Sequence, residues 1–154
     1  MSVYLLALLI GVIAGLRTFT APAAVAWATY LGCLDLSGSW LALFGNVWAR
    51  WILTALALVE LVVDQLPSTA SRTVPVQFGG RILTGGLSGA AIGAAGGAWV
   101  GGLVAGIVGA VIGTRGGRAV RSRLAAAFRS DRPAAFIEDA VAIGGALLIV
   151  VALR

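Results

Sequence analysis

The chain has 154 residues, of which 60% are hydrophobic and only 11% are charged, and its mean hydropathy is +1.01. Soluble domains carry about 25% charged residues, so the composition excludes an ordinary soluble domain and indicates a membrane protein. The sequence has no His and a single Cys, Cys33. It therefore lacks the most frequent general base, the most frequent zinc ligand and any intramolecular disulfide.

At about 20 residues per span, the apolar segments predict an all-α, polytopic membrane helix bundle of about five spans. This bundle is a single transmembrane domain over residues 1-154. The spans are expected at about 3-31, 48-66, 80-96, 98-118 and 135-153. An external connection is expected over 34–46, followed by Trp48 and Trp51 as an aromatic anchor at the membrane surface.

The first span contains an unusual polar passage at residues 15–22, which includes Arg17, Thr18 and Thr20. Pro22 removes a backbone donor and disfavours α geometry in the residue before it, so a kink or break is expected near residues 17-22. Two interpretations stay open. Arg17 either snorkels to an interface while the threonines bond back to the helix, or it marks a pathway or a buried pair, because charge inside a membrane is costly.

The second span carries Glu60 and Asp64, which are four residues apart and lie on one helical face. Glu60 is about 18 Å from Trp48 along a helix, which places it near mid-membrane. Asp64 lies close to the end of the span, where solvation among headgroups is the simpler interpretation. An ion pair between Arg17 and Glu60 is the sharper hypothesis, either as a structural lock or as a proton- or ion-coupled switch.

Small residues recur every fourth position through the centre of the chain. Glycine costs a soluble helix about 1 kcal/mol per interior position relative to alanine. In lipid, however, the backbone N–H and C=O groups must bond to each other, so the chain forms a helix despite its glycines. Small residues four apart then let helices approach closely. A turn near 96–99 is expected to produce a helical hairpin, with one long tilted helix as the alternative. The expected packing residues are Gly85, Gly89, Gly93, Gly97, Gly101, Gly109 and Gly113.

Six arginines follow between residues 115 and 132, and they predict a basic cytoplasmic loop over 114-132. Within it, residues 118–128 are either the exposed end of the fourth helix or a surface helix. Anionic lipid headgroups are the expected partner of this loop, and nucleic acid is not. With five spans, the N-terminus is expected to be cytoplasmic. Glu138 and Asp139 are expected in the first turn of the last span, where capping of the helix dipole is favoured over a catalytic role. A bundle this small is too narrow to enclose a pathway alone, so a homo-oligomer is expected.

Two short motifs suggest further alternatives. The spacing Gly15-x-Arg17-x-x-Thr20 recurs as Gly79-x-Arg81-x-x-Thr84, as in transporters built from repeats. Three matching residues in a glycine-rich chain are, however, more simply due to chance. The stretch Glu60-x-x-x-Asp64-x-Leu66-Pro67-Ser68-Thr69 is similar to the E-x-x-x-E-x-L-P-x-S-S stretch of undecaprenyl-pyrophosphate phosphatases. This similarity implies, as a minor alternative, an enzyme that handles a lipid pyrophosphate, with Ser71-Arg72-Thr73 as a phosphate contact.

Features along nearly the whole chain resemble a family of small bacterial integral membrane proteins of undefined function. They are Gly15-Leu16-Arg17-Thr18 with Pro22, Val59-Glu60 with Asp64 and Leu66-Pro67, Ser71-Arg72-Thr73 before Gly80-Arg81 and Gly85, and Ile137-Glu138-Asp139-Ala140-Val141-Ala142. The resemblance implies a multi-pass protein of the bacterial inner membrane. It implies no activity and no catalytic residues.

The sequence therefore favours a small channel or transporter for an ion or small polar solute. The alternative from a different class is a non-catalytic membrane scaffold or assembly protein. No cofactor, metal site or catalytic residue is expected. The candidate residues for a pathway or for buried charge are Arg17, Thr18, Thr20, Glu60, Asp64, Arg81, Glu138 and Asp139.

Overall fold

The structure is a computed structural model that describes residues 2–66 and 74–154. Within these ranges the chain is all-helical and contains no strand. The α-helices are α1 (Val3–Leu16), α2 (Thr20–Tyr30), α3 (Val47–Val63), α4 (Pro75–Ala95), α5 (Trp99–Phe128) and α6 (Asp131–Ala152), and a 3₁₀ helix covers Trp40–Gly45. Of these helices, α5 and α6 are long and apolar enough to cross a membrane.

The break expected in the first apolar segment is confirmed. α1 ends at Leu16 and α2 begins at Thr20. Between them Arg17 has an extended backbone, with φ −138° and ψ 116°. Pro22 is the third residue of α2. At that position its missing N–H costs no intrahelical hydrogen bond, because the first N–H groups of a helix have no partner within the helix.

α1 runs antiparallel to α4. The side chain of Val3, at the start of α1, faces Gly96, the residue that caps the end of α4. Near the other end of α1, Ala14 faces Gly85, in the first half of α4. α1 therefore crosses from the end of the bundle where α4 finishes to the level at which α4 begins.

α2 turns back along α4 instead of continuing the direction of α1. Thr18 faces Gly80, and Pro22 lines one groove together with Leu87, which lies further along α4. The expectation of one kinked span over 3-31 is therefore wrong in its geometry. The segment is a helical hairpin whose turn is at residues 17–19.

The helices alternate in direction along the chain, so the bundle has two distinct ends. One end, which we call the basic end, holds the turn at 17–19, the start of α4 and the arginine-rich half of α5. The other, the aromatic end, holds both termini, the α2–α3 connection and the α4–α5 turn. Ring contacts at this end join Trp27 to Trp51 (5.5 Å between centroids) and Trp40 to Trp99 (6.1 Å). The expected aromatic anchor thus includes residues from four parts of the chain.

The expected glycine-rich hairpin is confirmed. α4 ends at Ala95 and α5 begins at Trp99, and Gly97 in the turn has φ +73°. This left-handed conformation is easily adopted only by glycine. Gly97 is therefore a turn residue and not, as expected, a helix-packing residue.

The other glycines of the series pack helices together, but against several partners. Gly85, Gly89 and Gly93 of α4 lie against the backbone of α5 around Gly102 and Gly106, two glycines outside the predicted series. Further along α5, Gly109 and Gly113 lie against the backbone of α1, whereas Gly101 lies under the ring of Tyr4. α5 is thus the central helix, in close backbone contact with both α4 and α1.

The arginine-rich segment is helical for most of its length, which confirms that residues 118–128 are the end of the preceding helix and corrects the basic loop expected over 114-132. α5 continues to Phe128, and only Arg129 and Ser130 separate it from α6. Because α6 begins at Asp131, Glu138 and Asp139 lie in its second and third turns. They are too far from the helix start to cap it, so the expected capping role is wrong.

Polarity in the bundle is inverted relative to a soluble protein. Among the described residues, Arg17 and Arg81 are the largest fully buried side chains. α3 buries only Arg50, while it exposes large apolar residues such as Leu58 (59%) and Val62 (66%). On α6, Leu147 and Leu148 are likewise exposed. Contiguous exposed apolar surface of this kind marks contact with lipid or with other protein.

Candidate functional site

The break between α1 and α2 exposes backbone groups that need partners. The last carbonyls of α1 and the first N–H groups of α2 have no partner within their own helices. Glu60 of α3 accepts hydrogen bonds from the N–H groups of Thr18 (2.6 Å) and Phe19 (2.9 Å). Arg81 of α4 donates to the carbonyl oxygens of Gly15 (2.8 Å) and Leu16 (2.7 Å). The turn is therefore held by two charged side chains from other helices.

The side chain of Arg17 lies at the centre of the site and has no exposed surface. One terminal nitrogen donates to the carboxylate of Asp64, at the end of α3, and the other to the carboxylate of Asp139 on α6. Gln65 also donates to Asp139, at 3.0 Å. Arg17 thus joins the hairpin to two helices that come from distant parts of the chain.

The Arg17–Glu60 ion pair expected from the sequence does not form. The nearest guanidinium to Glu60 is that of Arg81, with 3.8 Å between Nη2 and Oε1. The reason is the direction of α2: its N-terminal amides face Glu60, while the Arg17 side chain extends towards Asp64 and Asp139. Asp64 is 11% exposed and ion-paired. It is therefore not solvated among headgroups, as the sequence had suggested.

Five charged side chains lie at the break. We call Arg17, Arg81, Glu60, Asp64 and Asp139 the inner cluster. It contains two guanidinium groups and three carboxylates, and these carboxylates are only 10–13% exposed. Counted over these five described residues its formal charge is −1, and the guanidinium of Arg121 lies next to Asp64 as well. Each of the three carboxylates has an arginine partner, because Asp64 and Asp139 bind Arg17 and Glu60 lies beside Arg81.

A second group of charges lies on the basic side of the inner cluster. Arg121 of α5 binds Asp131 (2.5 and 2.9 Å) and lies 3.4 Å from Glu138, which is buried. Arg121 also donates to the backbone carbonyl of Asp64 at 3.3 Å. Five of the six acidic residues in the chain thus gather at this end. The sixth, Asp35, lies in the α2–α3 connection, where hydrogen bonds from the side chain and backbone of Ser37 lower its pKa.

The structure brings together most of the residues that the sequence singled out. Thr18 contributes its backbone N–H and not its hydroxyl. Thr20, the first residue of α2, lines a groove between α2, α3 and α6. The two repeat-like passages are not structural copies, since the first spans the break and the second, around Arg81, lies inside α4. The phosphatase-like residues Pro67-Ser68-Thr69 and the Ser71-Arg72-Thr73 segment lie outside the described residues.

Sequence reasoning missed one charged site altogether, at the aromatic end. The guanidinium of Arg50 lies 3.7 Å from the ring centroid of Tyr30 and also near the rings of Trp27 (5.1 Å) and Trp51 (5.7 Å). Such cation–π contacts stabilise a charge that is partly removed from water. The signal was present in the sequence as an arginine next to Trp51 in an aromatic-rich stretch.

Among the described residues, no three His, Cys, Asp or Glu side chains converge in a way that could hold a metal ion. No family model, curated protein or solved structure matches the chain.

Proposed function

We propose that the protein is a multi-pass membrane protein of the bacterial inner membrane, in which α3 to α6 cross the bilayer. α3, with 17 residues, lies at the short end of the range for a span. α1 and α2 have 14 and 11 residues, about 21 Å and 16 Å of helix. Both are shorter than the hydrocarbon core of about 30 Å. They form a re-entrant hairpin that enters from the aromatic end and places its turn at the inner cluster. Non-helical backbone at such depth is tolerated only when protein surrounds it or it lines a cavity.

The positive-inside rule orients this arrangement. The exposed residues Arg115, Arg118 and Arg123 all lie on the half of α5 at the basic end, which we therefore place in the cytoplasm, against anionic headgroups. Both termini then lie on the opposite side, because the hairpin enters and leaves from the aromatic end. This reverses the N-terminal orientation that the sequence, with five spans, had suggested.

Labelling of the single cysteine tests this orientation. Cys33 lies in the α2–α3 connection at the aromatic end and is partly exposed. In intact spheroplasts, a membrane-impermeant maleimide is expected to label Cys33. The matched control is a Cys33→Ser, Ser122→Cys variant, since Ser122 is exposed on α5 at the basic end. That variant should be labelled only after the membrane is permeabilised, and the reverse pattern would contradict the proposed orientation.

Within this membrane architecture we propose a small channel or transporter for an ion or small polar solute, which interacts with the inner cluster. The observation that carries the proposal is the set of buried ion pairs at a helix break. Three carboxylates from α3 and α6 share two arginines, one of which belongs to the turn itself. Binding or loss of one positive charge changes the ion pairs that hold the hairpin against these helices. Broken helices with charged partners at their ends are a common way to build ion-coupled binding sites in transporters.

A scaffold is the second candidate, and the contacts that Arg17 already makes favour it. Both terminal nitrogens of Arg17 are bound, and the glycine contacts pack α5 tightly against its neighbours. In this alternative the charges only lock helices together. The wide apolar surface of α3 would then contact partners or a second copy of the chain, which is also where we propose homo-oligomer contacts.

Flux from liposomes tests the transporter proposal. Purified protein is expected to conduct protons or a simple cation, and Glu60→Gln is expected to reduce this flux at least tenfold. The glutamine keeps an acceptor oxygen for only one of the N–H groups of Thr18 and Phe19, which bind different oxygens of Glu60, and it removes one of the charges of the inner cluster. Size-exclusion chromatography should show that the variant is assembled normally.

Asp131→Asn is the matched control, because Asp131 is 61% exposed and lies outside the inner cluster. This variant should keep most of the flux. If the folded wild-type protein conducts none of the ions tested, or if both substitutions have the same effect, the transporter proposal fails. Loss of assembly in Glu60→Gln would instead support the scaffold.

A further inference from the structure

Arg50 of α3 is a buried cation at the aromatic end, and its side chain is only 9% exposed. In the described part of the chain, no carboxylate lies within ion-pair distance of it. The ion pairs found there belong to Arg17, Arg81 and Arg121, all at the basic end. Glu60, the nearest acidic residue along α3, lies ten residues, or about 15 Å, further along the helix. The charge of Arg50 is therefore held by aromatic rings and not by an acid.

The N–H groups of Arg50 also lack acceptors. Its Nε is enclosed without a hydrogen-bond partner among the described residues, whereas the two terminal nitrogens are not enclosed. The rings of Trp27, Tyr30 and Trp51, which we call the aromatic cage, lie 3.7 to 5.7 Å from the guanidinium carbon. Ring faces attract the positive charge, but they contain no oxygen acceptor for the N–H groups. The planar fork of donors is therefore left to bind an anion from outside the chain.

The position of Arg50 on α3 increases the need for a negative charge. α3 begins at Val47, so Arg50 lies in its first turn. The N-terminus of a helix carries partial positive charge, which favours anions and disfavours an arginine. The carboxylate of Asp35, in the α2–α3 connection, accepts hydrogen bonds from the backbone and side chain of Ser37. The helix dipole and the guanidinium thus favour the same ligand chemistry, an anion with oxygen acceptors.

We propose that Arg50 and the aromatic cage form a binding site for a phosphate group. Guanidinium groups bind phosphate oxygens through paired, charge-assisted hydrogen bonds. The exposed rings of Tyr30, Trp48 and Trp51 mark the headgroup level in the proposed membrane arrangement, and the phosphates of phospholipids lie at that level. A phospholipid of the outer leaflet is therefore the expected source of the phosphate, and a soluble phosphate is the other source. The site does not include the inner cluster, so it stands whether the chain is a transporter or a scaffold.

Tryptophan fluorescence provides a local measure of binding at this site. The five tryptophans of the chain all lie at the aromatic end, so lipid bound to the arginines of the basic end leaves the emission nearly unchanged. Short-chain phosphatidylglycerol is expected to change the emission of the detergent-purified protein saturably. A diacylglycerol with the same acyl chains, which lacks the phosphate, should not. Inorganic phosphate separates the two sources: equal affinity would assign the site to soluble phosphates, and much weaker binding would assign it to lipid.

Substitutions of Arg50 test whether its guanidinium carries the binding. Arg50→Gln removes the charge and should weaken phosphatidylglycerol binding at least tenfold. Arg123→Gln is the matched control, because Arg123 is exposed at the basic end, and it should bind as the wild-type protein does. Arg50→Lys keeps the charge beside the rings but loses the planar fork. It should weaken binding at least threefold, and it replaces Arg50→Gln if that variant does not fold.

Three results would overturn the phosphate site. They are no change of emission with either phosphate probe, equal affinities for diacylglycerol and phosphatidylglycerol, and unchanged affinity in both variants of Arg50. None of these measurements involves flux or Glu60, so a failure of the phosphate site is distinguishable from a failure of the proposed transport.

Discussion

Replacing Arg17 with alanine is expected to destabilise the protein more than any other single loss of charge. The substitution leaves Asp64 and Asp139 close together, poorly hydrated and without their shared cation. Removing one partner of a buried ion pair typically costs about 3–5 kcal/mol, since the remaining charge stays buried without compensation. The melting temperature of the purified protein in detergent should fall sharply, and size-exclusion chromatography should show aggregated or unfolded material.

A second substitution on the same site makes this prediction specific. Asp139→Asn added to Arg17→Ala removes one of the two stranded carboxylates, so it should recover part of the lost stability. Arg115→Ala is the control, because Arg115 is exposed on α5 at the basic end and surface charges contribute little. If Arg17→Ala melts at the same temperature as the wild-type protein, the buried ion pairs do not hold the hairpin in place.

The local features of the hairpin could be predicted from the sequence, but its direction could not. Arg17, the two threonines and Pro22 indicated a break correctly, because each of them disfavours a continuous apolar helix. Both a kinked span and a reversal satisfy these local preferences. The choice depends on Glu60 and Arg81, which satisfy the backbone of the turn from more than 40 residues away in the sequence. Helical periodicity carries no information about such contacts.

The same limit applies to the ion pairs. Arg17 and the acidic residues could be chosen from the sequence as candidates for buried charge, since intramembrane charges need partners. Depth along each helix suggested Glu60 as the partner, but depth does not tell which way a side chain extends. Asp139 was assigned to helix capping because α6 was expected to begin near 135, whereas it begins at Asp131. An error of one turn at the start of a helix thus changed the expected role of a charged residue.

The glycine series shows how a correct motif can still be assigned to the wrong partner. Spacing of four predicted close helix contacts, and these contacts exist. The strict series nevertheless omitted Gly102 and Gly106, which form the α5 side of the contact with α4. It also gave no sign that Gly109 and Gly113 belong to a different contact, with α1. A helix that packs on two sides needs small residues on two faces, and a single four-residue period describes only one of them.

Gly109→Ala is therefore expected to destabilise the bundle, although alanine is the better helix former. A Cβ atom at this position would overlap the carbonyl oxygen of Leu8 and lie 2.9 Å from the backbone nitrogen of Val12. These are backbone atoms of α1 and cannot rotate away, so the two helices would have to separate. Overpacking of this kind typically costs about 1–3 kcal/mol and occasionally more.

The matched control is Gly116→Ala, two turns further along the same helix. A Cβ atom at Gly116 would meet nothing within 4 Å, so this variant should be stabilised by up to about 1 kcal/mol through helix propensity alone. Thermal unfolding of both variants in the same detergent should thus give shifts of opposite sign. Shifts of the same sign and size would mean that helix propensity alone governs both positions and that the close contact between α1 and α5 does not exist in the folded protein.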